Sequence, residues 1–498
     1  MSAEQRQTNG EVHVAIVGAG ITGLAAAHRI ISTNPAAKVT LFEASDRLGG
    51  IIRTEHADDY LMELGPDSFI TNKPGGIQLC EEIGFTPQLI PTDNTFRRSL
   101  VLRKGKPQPV PDGFMLMAPA NPWAIATTPV LSIGGKLRLL KESFVAAKTT
   151  DDDESLANFV RRRFGKETLE RLVQPLVGGI YTSDPEKLSL KATLPRFLDM
   201  EREFGSVTKA TLTEQKRQKA KSRQPGSSGA AAEARSGSGA RYGLFTTPVA
   251  GLSSLVEALE QNLCSSGRVT ICTSTPLHSV NQSSTSAASS HTVAGNWTIQ
   301  LADKTSHNFD AVVVTLPTHK AAELLPAEQF SNLRNSLNAI EYASSAIVVS
   351  GHRLNDFAHP LDAFGLVVPA IENRKVLAVS FTSRKFPNRA PDGHVLLRTF
   401  VGGAMQPELL QQSDEEMSAS VSSELKNILG MKAAPQFSRV VRYNHAMPQY
   451  HVGHLDLVAQ IENQISQFPG LQLAGSAYHG VGIPDSIASG RTAADRVC

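Results

Sequence analysis

Cysteine is scarce in this sequence, and the cysteines present follow no familiar spacing. Only four occur among 498 residues, Cys80, Cys264, Cys272 and Cys498. They form no C-x-x-C motif and no zinc-ribbon spacing, which excludes those metal and dithiol sites. A chain of this length also needs no disulfides to stabilise its core. The sequence therefore predicts a protein of a reducing compartment, the cytoplasm.

Two further features are missing, a charge excess and a long apolar run. The chain carries 49 Lys and Arg against 47 Asp and Glu, a formal net charge of +2. A net charge this close to zero gives no overall positive field that would favour binding of nucleic acid. No stretch reaches the roughly 18 uninterrupted apolar residues of a membrane-spanning helix. We expect a soluble protein, and contact with a membrane surface stays open.

What the sequence does have is a strand, a glycine turn, a helix and a second strand in succession. Val12–Val17 is rich in β-formers, Leu24–Ile31 is apolar and helix-prone, and Lys38–Phe42 is strand-like. This order is typical of the start of a doubly wound α/β sheet. We therefore predict an α/β fold with a Rossmann-like dinucleotide-binding domain.

The glycine turn has the spacing of a phosphate-binding fingerprint. Gly18 suits the tight turn, Gly20 lets the backbone approach a diphosphate, and Gly23 lets helix and strand pack closely. Glu43 ends the second strand, where a carboxylate would accept hydrogen bonds from ribose hydroxyls. No second fingerprint follows another strand, so a separate nicotinamide domain is not expected. A purely structural glycine turn is the alternative.

The remainder of the chain predicts two more structural units. Helical periodicity over 114–204 indicates a helical insertion, and strand-like runs at 345–350, 364–368, 376–381 and 395–401 indicate an antiparallel sheet. The low-complexity stretch 208–241 predicts a flexible loop, and 281–296 a polar hairpin tip. The predicted units are a first dinucleotide-binding segment at 12–90, the substrate and helical insertion at 91–207, the loop at 208–241, a second dinucleotide-binding segment at 242–330, the substrate-binding sheet at 331–440, and a third dinucleotide-binding segment at 441–498.

Three motifs resemble those of known flavin enzymes. Arg47-Leu-Gly-Gly resembles the R-x-G-G motif of the flavin amine oxidase superfamily, and Gly65-Pro-Asp-Ser resembles a segment beside the flavin ring there. Gly480-Val-Gly-Ile-Pro-Asp opens a C-terminal helix whose free N–H groups at Ile483 and Asp485 would face the flavin's pyrimidine end. Each motif has a plain alternative, a glycine turn or an ordinary helix start.

The resemblance becomes specific over residues 12–497, with 208–241 and 281–296 as the divergent parts. The sequence is similar to the protoporphyrinogen/coproporphyrinogen oxidase family, and within it to the Gram-positive type, the oxygen-dependent coproporphyrinogen III oxidases. The matching segments are GITGLAAA, FEASDRLGG, GPDSF, SLANFVRRRFG, PLVGGIYTSDPEKLSL, MPQYHVGH and GVGIPDSIASG. YTSDPEKLSL and MPQYHVGH are not shared with amine oxidases at large.

The resemblance implies an FAD site and a porphyrinogen site. The implied FAD contacts are Gly18, Ala19, Gly20, Ile21, Thr22, Gly23, Glu43, Ala44, Arg47, Gly49, Gly50, Gly65, Pro66, Asp67, Ser68, Leu277, Tyr443, Ile483, Pro484 and Asp485. The implied substrate contacts are Arg98, Lys73 and Gly179, with solvated surface charge as the alternative for the two cations. The resemblance assigns no metal and no side chain as a catalytic acid or base.

The implied reaction is a six-electron oxidation of coproporphyrinogen III to coproporphyrin III in haem biosynthesis, with oxygen as acceptor and hydrogen peroxide as product. Protoporphyrinogen IX is the alternative substrate, and it has two carboxylates where coproporphyrinogen has four. The basic residues Lys73, Arg97, Arg98, Arg103, Lys104 and Lys106 favour the more acidic substrate. An amine oxidase, a desaturase and a non-enzymatic flavin-fold binding protein are the more distant alternatives.

Three histidines, His445, His451 and His454, have a spacing that resembles a set of metal ligands, but structural roles are favoured for them.

Contact with a membrane or a partner stays open. The stretch 113–131 carries Phe114, Met115, Leu116, Met117 and Trp123, which would be exposed if this region met a membrane. A wall of the substrate channel is the competing interpretation. The resemblance also implies transfer of product to the next haem-pathway enzyme.

Overall fold

The structure is a computed structural model that describes residues 12–119, 121–221, 244–282 and 297–498. Its strands are β1 (His13–Val17), β2 (Lys38–Phe42), β3 (Thr54–Ala57), β4 (Tyr60–Glu63), β5 (Phe69–Ile70), β6 (Leu89–Pro91), β7 (Ser99–Arg103), β8 (Lys106–Pro109), β9 (Phe114–Met115), β10 (Ala118–Pro119), β11 (Phe245–Pro248), β12 (Val269–Cys272), β13 (Leu277–Gln282), β14 (Trp297–Leu301), β15 (Ser306–Phe309), β16 (Ala311–Val314), β17 (Tyr342–Arg353), β18 (Gly365–Val367), β19 (Ala378–Phe381), β20 (His394–Gly402), β21 (Phe437–Pro448) and β22 (Leu471–Leu473).

Its helices are α1 (Ile21–Thr33), α2 (Pro74–Glu82), α3 (Pro122–Thr127), α4 (Ile133–Leu140), α5 (Leu156–Arg163), α6 (Lys166–Thr168), α7 (Gln174–Tyr181), α8 (Leu190–Thr193), α9 (Pro195–Phe204), α10 (Val207–Lys221), α11 (Ser253–Ser265), α12 (Thr318–Leu324), α13 (Ala327–Asn338), α14 (Thr382–Lys385), α15 (Asp414–Leu429), α16 (His454–Ile465) and α17 (Ile483–Val497). A π-helical turn at Leu169–Val173 links α6 to α7.

A five-stranded parallel sheet forms the centre of the dinucleotide-binding unit. Its order is β12-β2-β1-β16-β22, so strands from distant parts of the chain lie side by side. Every residue of β16 is buried, as its continuous apolar run predicts for a sheet that is covered on both faces. The predicted Rossmann-like α/β fold is confirmed.

Alternating residues of β1 enter two separate cores, because side chains along a strand point to opposite faces. Val14 and Ile16 pack with α1, α2, α11 and α17. Ala15 and Val17 pack with α12, α13, α16 and the small antiparallel sheet β13–β15. Helices therefore cover one face of the sheet, and helices with a second small sheet cover the other.

The second large unit is a seven-stranded sheet of order β21-β17-β20-β19-β18-β7-β8. It is antiparallel except where β18 runs parallel to β7. The four strand-like runs predicted from the sequence correspond to β17, β18, β19 and β20. β7 and β8 join this sheet from within 91–207, and β21 crosses residue 440, where the sequence places a boundary.

The helices α3–α10 pack around one core, in the region where the sequence predicts a helical insertion. Phe159, Phe164 and Leu172 are fully buried in its core, and Tyr450 is packed there from near the C-terminal end of the chain. Phe114 and Met117, predicted to be exposed if this region met a membrane, are 7% and 0% exposed in this core. Their side chains fill the insertion instead of facing solvent.

The predicted loop at 208–241 is wrong over its first residues, because α10 continues to Lys221. Most residues of this segment are Lys, Gln, Ala, Arg, Leu or Glu, which are good helix formers. The carboxylate of Glu142 also accepts hydrogen bonds from the first N–H groups of α10, those of Val207 and Thr208, at 3.1 Å each. The rest of the predicted loop, and the hairpin tip after Gln282, lie outside the described residues.

Candidate active site

The turn between β1 and α1 leaves space in front of the helix. A Cβ atom on Gly23 would lie 2.0 Å from the carbonyl oxygen of Gly18, so only glycine permits this close packing. Gly18 has a φ of +101°, in the region that favours glycine. Gly20 is the N-cap of α1, and a Cβ there would meet no atom within 4 Å. The open space at a helix N-terminus fits a diphosphate.

Glu43 lies at the carboxyl end of β2, beside this turn. Its carboxylate accepts hydrogen bonds from the backbone N–H groups of Ala19 and Ser45, both at 2.9 Å, and from the Ser45 hydroxyl at 2.8 Å. These donors fix the carboxylate where a ribose would meet it. The N–H of Thr275 donates to the Glu43 carbonyl, so the segment that leads to Leu277 lies at the same edge. Ala44 directly follows Glu43 in the chain, and Leu277 lies two residues beyond Thr275.

The Arg47-Leu-Gly-Gly segment folds back onto the glycine turn. The Gly49 N–H donates to the Ala19 carbonyl at 2.8 Å, and a Cβ on Gly50 would lie 3.3 Å from the Gly20 Cα. Arg47 donates to the carbonyls of Gly50 and Ile52, which shapes the loop. Arg47 therefore stabilises the conformation of the loop that borders the space predicted for the diphosphate.

The Gly65-Pro-Asp-Ser segment is held by two cations that the sequence prediction omitted. The Asp67 carboxylate pairs with Lys385 at 2.9 Å and with Arg398 at 3.2 Å. Burial raises the pKa of Asp67, but the charges of Lys385 and Arg398 outweigh it and hold that pKa well below its usual range. Lys385 also donates to the Ser68 hydroxyl at 2.9 Å.

Side chains also donate hydrogen bonds to the backbone carbonyls of Leu64 and Gly65. Arg398 donates to the Gly65 carbonyl, and the Tyr443 hydroxyl donates to the Leu64 carbonyl at 2.5 Å. A Cβ on Gly65 would lie 1.9 Å from the Ile51 carbonyl oxygen, so a side chain at this position has no room. Arg398 is a charged residue within the mostly apolar run of β20, and this position is the sequence signal that could have identified it. Pro66 completes a segment with little freedom to move.

The N-terminus of α17 lies farther along the same crevice. Gly490 packs so closely on α1 that a Cβ there would lie 2.2 Å from the Thr22 carbonyl oxygen. Arg29 pairs with Asp495 at 2.6 Å, so α1 and α17 run side by side in the same direction. Ile483 precedes Gly490 by seven residues, which places the start of α17 about 10 Å beyond the start of α1 at 1.5 Å per residue.

This offset suits an extended dinucleotide. Ribose would lie at Glu43, the diphosphate at Gly20, and the flavin ring towards Ile483, Pro484 and Asp485. The first-turn N–H groups of Ile483 and Asp485 have no acceptor within the helix. The residues present therefore fit FAD.

The predicted substrate cations occupy separate places. Arg98 is half-exposed and donates Nε to the Asp362 carbonyl at 2.8 Å, and its guanidinium also pairs with the Asp362 carboxylate. Lys73 pairs instead with Asp485. Arg103 and Lys106 lie at the other end of the β7–β8 hairpin from Arg98, about 16 Å along the strand at 3.3 Å per residue. The six basic residues do not form one cluster.

An arginine from elsewhere in the sequence joins Arg98. The Arg384 guanidinium lies 4.9 Å from the centre of the Phe96 ring, and burial lowers its pKa. The Nε atoms of Arg384 and Arg97 are buried with no hydrogen-bond partner among the described residues. No sequence motif linked Arg384 to Arg97 and Arg98.

Gly179, on α7, lines a narrow cleft with Gln174 and Met405 and has open space where a Cβ would be.

The three spaced histidines have separate environments. His454 is buried and stacks on Tyr450 at 3.9 Å between ring centres, and burial lowers its pKa to about 4. His451 lies 3.7 Å from Glu341, and His445 is exposed beside His319. Within the described residues no group of three or more His, Cys, Asp or Glu side chains could hold a metal ion.

Comparison with known proteins agrees with this geometry. The profile of the family described as flavin containing amine oxidoreductase matches residues 21–498. The chain belongs to this family. It is therefore an oxidoreductase with a flavin cofactor, and the predicted FAD is confirmed.

Individual relatives are more specific. The chain is 34% identical to coproporphyrinogen III oxidase of Staphylococcus aureus, with 97% of this chain and 98% of that one covered. It is 33% identical to the Bacillus subtilis protein of the same name, with 98% of each covered. A putative protoporphyrinogen oxidase from Exiguobacterium sp. 255-15 has a TM-score of 0.81 at 27% identity and 98% coverage of both chains. Plant protoporphyrinogen oxidases match at 28–30% identity. The family resemblance inferred from the sequence is confirmed.

Proposed function

We propose that this protein is an oxygen-dependent coproporphyrinogen III oxidase of haem biosynthesis. It would remove six electrons and six protons from coproporphyrinogen III in three steps, with three oxygen molecules reduced to three hydrogen peroxides. The observation that carries the proposal is the 34% identity over nearly the full length of both chains with a relative of that name. Protoporphyrinogen IX is the second candidate substrate, because the plant relatives carry that name.

When bound, FAD would supply the two-electron redox chemistry, with oxygen as the final acceptor. The chain's own contribution is position and charge. Gly20 and the first turn of α1 would hold the diphosphate, and Glu43 would accept from the ribose hydroxyls. The N–H groups of Ile483 and Asp485 would favour negative charge on the reduced ring. We assign no side chain the role of acid or base.

The substrate would be oriented by guanidinium groups. Arg98 uses Nε and one terminal nitrogen on Asp362, and its remaining N–H donors can meet a propionate. Arg97 and Arg384, each with a buried and unbonded Nε within the described residues, would contribute from beside it. Coproporphyrinogen offers two more carboxylates than protoporphyrinogen, and burying an unpaired guanidinium is unfavourable. The arrangement therefore favours the more acidic substrate.

Aerobic turnover of both porphyrinogens tests this function. We expect the FAD-loaded protein to convert coproporphyrinogen III with a kcat/KM at least about tenfold above that for protoporphyrinogen IX, since one lost charged contact is worth about 1.4 kcal/mol or more. Porphyrin fluorescence reports the product, and an oxygen electrode with a peroxidase assay reports the expected ratio of three peroxides per porphyrin. Faster turnover of protoporphyrinogen IX would favour the second candidate. An FAD-loaded protein inactive on both would contradict the proposal.

We further propose that the protein rests on an anionic membrane surface through one face of the helical insertion. Within the described part of the chain, no helix is long and apolar enough to cross a membrane. Ile133, Leu137, Leu140 and Phe144 nevertheless form an apolar stripe along α4 and the turn after it, at 78%, 56%, 41% and 86% exposure. Trp123 beside them is 75% exposed. Lys136 and Lys141 lie within the same stretch of sequence. Apolar side chains with neighbouring lysines suit the interface of an anionic bilayer.

Vesicle binding tests this surface. The change Ile133→Ser with Phe144→Ser removes two large apolar groups, each worth about 1.5–3 kcal/mol when buried. We expect at least a tenfold loss of partitioning onto phosphatidylglycerol vesicles in a sedimentation assay. Ile371→Ser is the matched control, because Ile371 is a 46% exposed apolar residue outside the stripe. Equal binding by all three proteins, or no binding by the unchanged protein, would contradict a membrane role.

A further inference from the structure

Lys73 makes a contact that its predicted substrate role does not explain. Its Nζ lies 2.6 and 2.7 Å from the two carboxylate oxygens of Asp485. Lys73 is the N-cap of α2, and Asp485 is the third residue of α17. The Asp485 side chain is 16% exposed and the Lys73 side chain 47%. A cation from one helix therefore neutralises a mostly buried anion at the start of another.

The position of Lys73 is fixed by its backbone. A Cβ on Gly75 would lie 2.5 Å from the Pro484 carbonyl oxygen, and one on Gly76 would lie 3.4 Å from the Pro484 ring. The start of α2 is thus pressed against the start of α17. A second ion pair, Arg491 with Glu82 at 2.7 Å, joins the same two helices farther along.

The location of Asp485 changes the electrostatic potential that the start of α17 presents to a ligand. The N-terminus of a helix carries a partial positive charge, which favours negative charge nearby. Asp485 places a full negative charge in that same turn, where its Oδ2 accepts from the Gly482 N–H at 3.3 Å. An unpaired carboxylate here would cancel the positive potential at the start of α17 and so disfavour negative charge on the reduced flavin. The Lys73 ammonium offsets the carboxylate.

We infer that Lys73 is a positioning and charge-balancing residue that raises the reduction potential of the bound flavin by neutralising Asp485. The inference rests on the FAD site proposed at the start of α17, and it assigns Lys73 to the cofactor instead of the substrate. A charge change close to the ring alters the equilibrium between oxidised and reduced flavin. A tenfold change in that equilibrium corresponds to about 30 mV for a two-electron couple.

The test is the midpoint potential of the flavin in FAD-loaded Lys73→Met, measured by equilibration with a reference dye during slow reduction. We expect the reduced form to be disfavoured by at least tenfold, a potential about 30 mV more negative. Lys73→Arg should restore the potential, and Lys73→Met with Asp485→Asn should return it close to that of the unchanged protein. Asp485→Asn alone should make it more positive.

The matched control is Arg491→Met, which breaks the second ion pair between the same helices. Arg491 is six residues from Asp485, about 9 Å along α17. We expect a similar change in thermal stability and no change in potential. An unchanged potential in Lys73→Met, or an equal shift in Arg491→Met, would overturn the inference. So would an effect of Lys73→Met confined to the KM for porphyrinogen.

The measurement needs no porphyrinogen. If the protein holds FAD but fails to oxidise either porphyrinogen, the proposed substrate fails while the potentials still decide the role of Lys73. If the potentials are insensitive while coproporphyrinogen is oxidised, the inference about Lys73 fails by itself.

Discussion

Replacing Gly20 with alanine is expected to give a folded protein that no longer retains FAD. Gly20 has φ −69° and ψ 174°, a conformation open to any residue, and a Cβ there would meet no atom of the protein within 4 Å. The added methyl group would instead occupy the space in front of α1 where the diphosphate must approach the backbone. We expect the Kd for FAD to rise at least about 100-fold, the equivalent of roughly 2.7 kcal/mol.

The ratio of flavin to protein absorbance in the purified protein, followed by titration of the apoprotein with FAD, measures this effect. Thermal unfolding of the apoprotein should change little, because an N-cap glycine is replaced at a cost of about 1 kcal/mol or less. Gly23→Ala is the contrasting variant. Its Cβ would lie 2.0 Å from the Gly18 carbonyl oxygen, so the fold itself should suffer along with FAD binding. A Gly20→Ala protein with the original Kd would show that the diphosphate lies elsewhere.

Replacing Arg163 with methionine is expected to destabilise the helical insertion by about 3–5 kcal/mol, the usual effect of removing one partner of a buried ion pair. Arg163 and Glu142 are both fully buried, and Arg163 also contacts Glu201 at 3.1 Å. Without the guanidinium, Glu142 keeps the N–H groups of α10 and the Ser206 hydroxyl but loses its only fully buried counter-charge among the described residues. Opening of the insertion should therefore become far more frequent.

Hydrogen exchange of the α5 amides in dilute urea measures the stability of this unit separately from the flavin unit. Arg161→Met is the matched control on the same helix. Arg161 pairs with Glu186 on the surface, where both side chains are about half-exposed, so its loss should cost under about 1 kcal/mol. Arg163→Met with Glu142→Gln should recover some of the loss, because glutamine removes the unpaired charge and keeps an acceptor for the Val207 and Thr208 N–H groups. Equal protection in Arg163→Met and Arg161→Met would contradict a stabilising role for the buried pair.

The regions of the site that the sequence predicts are those made by residues close together in the chain. Gly18, Gly20 and Gly23 form their turn within six residues, and strand and helix propensities on either side fix its conformation. The same holds for Gly482 and Asp485 at the start of α17. The local sequence of these motifs determines their backbone conformation, so the spacing of their residues predicts the shape of the site.

The regions that the sequence does not predict depend on contacts between distant residues. Lys385 and Arg398 reach Asp67 across more than 300 positions, and Arg384 reaches Phe96 across a similar interval. The apparent basic cluster failed for a related reason, because a strand carries Arg103 away from Arg98. Sequence proximity does not measure distance along an extended strand.

Composition misled the prediction at α10 and at the stretch before α3. Residues 208–221 lack aromatic residues, yet most of them favour helix, and Glu142 supplies a cap from 65 positions away. Phe114 and Met117 are apolar enough for a membrane contact or a core, and packing of the insertion decides between the two. Their neighbours in space, not in sequence, determine their burial.

The strand order of the parallel sheet also sets the order in which the protein can be assembled on the ribosome. β1 pairs with β16, almost 300 residues later, and β16 in turn pairs with β22. Until β16 has been synthesised, one edge of β1 has no partner in the sheet, and such edges are sites of misassociation. The helix that would face the flavin ring, α17, follows all the other described elements in the sequence. FAD can therefore stabilise the complete crevice only after α17 has been synthesised.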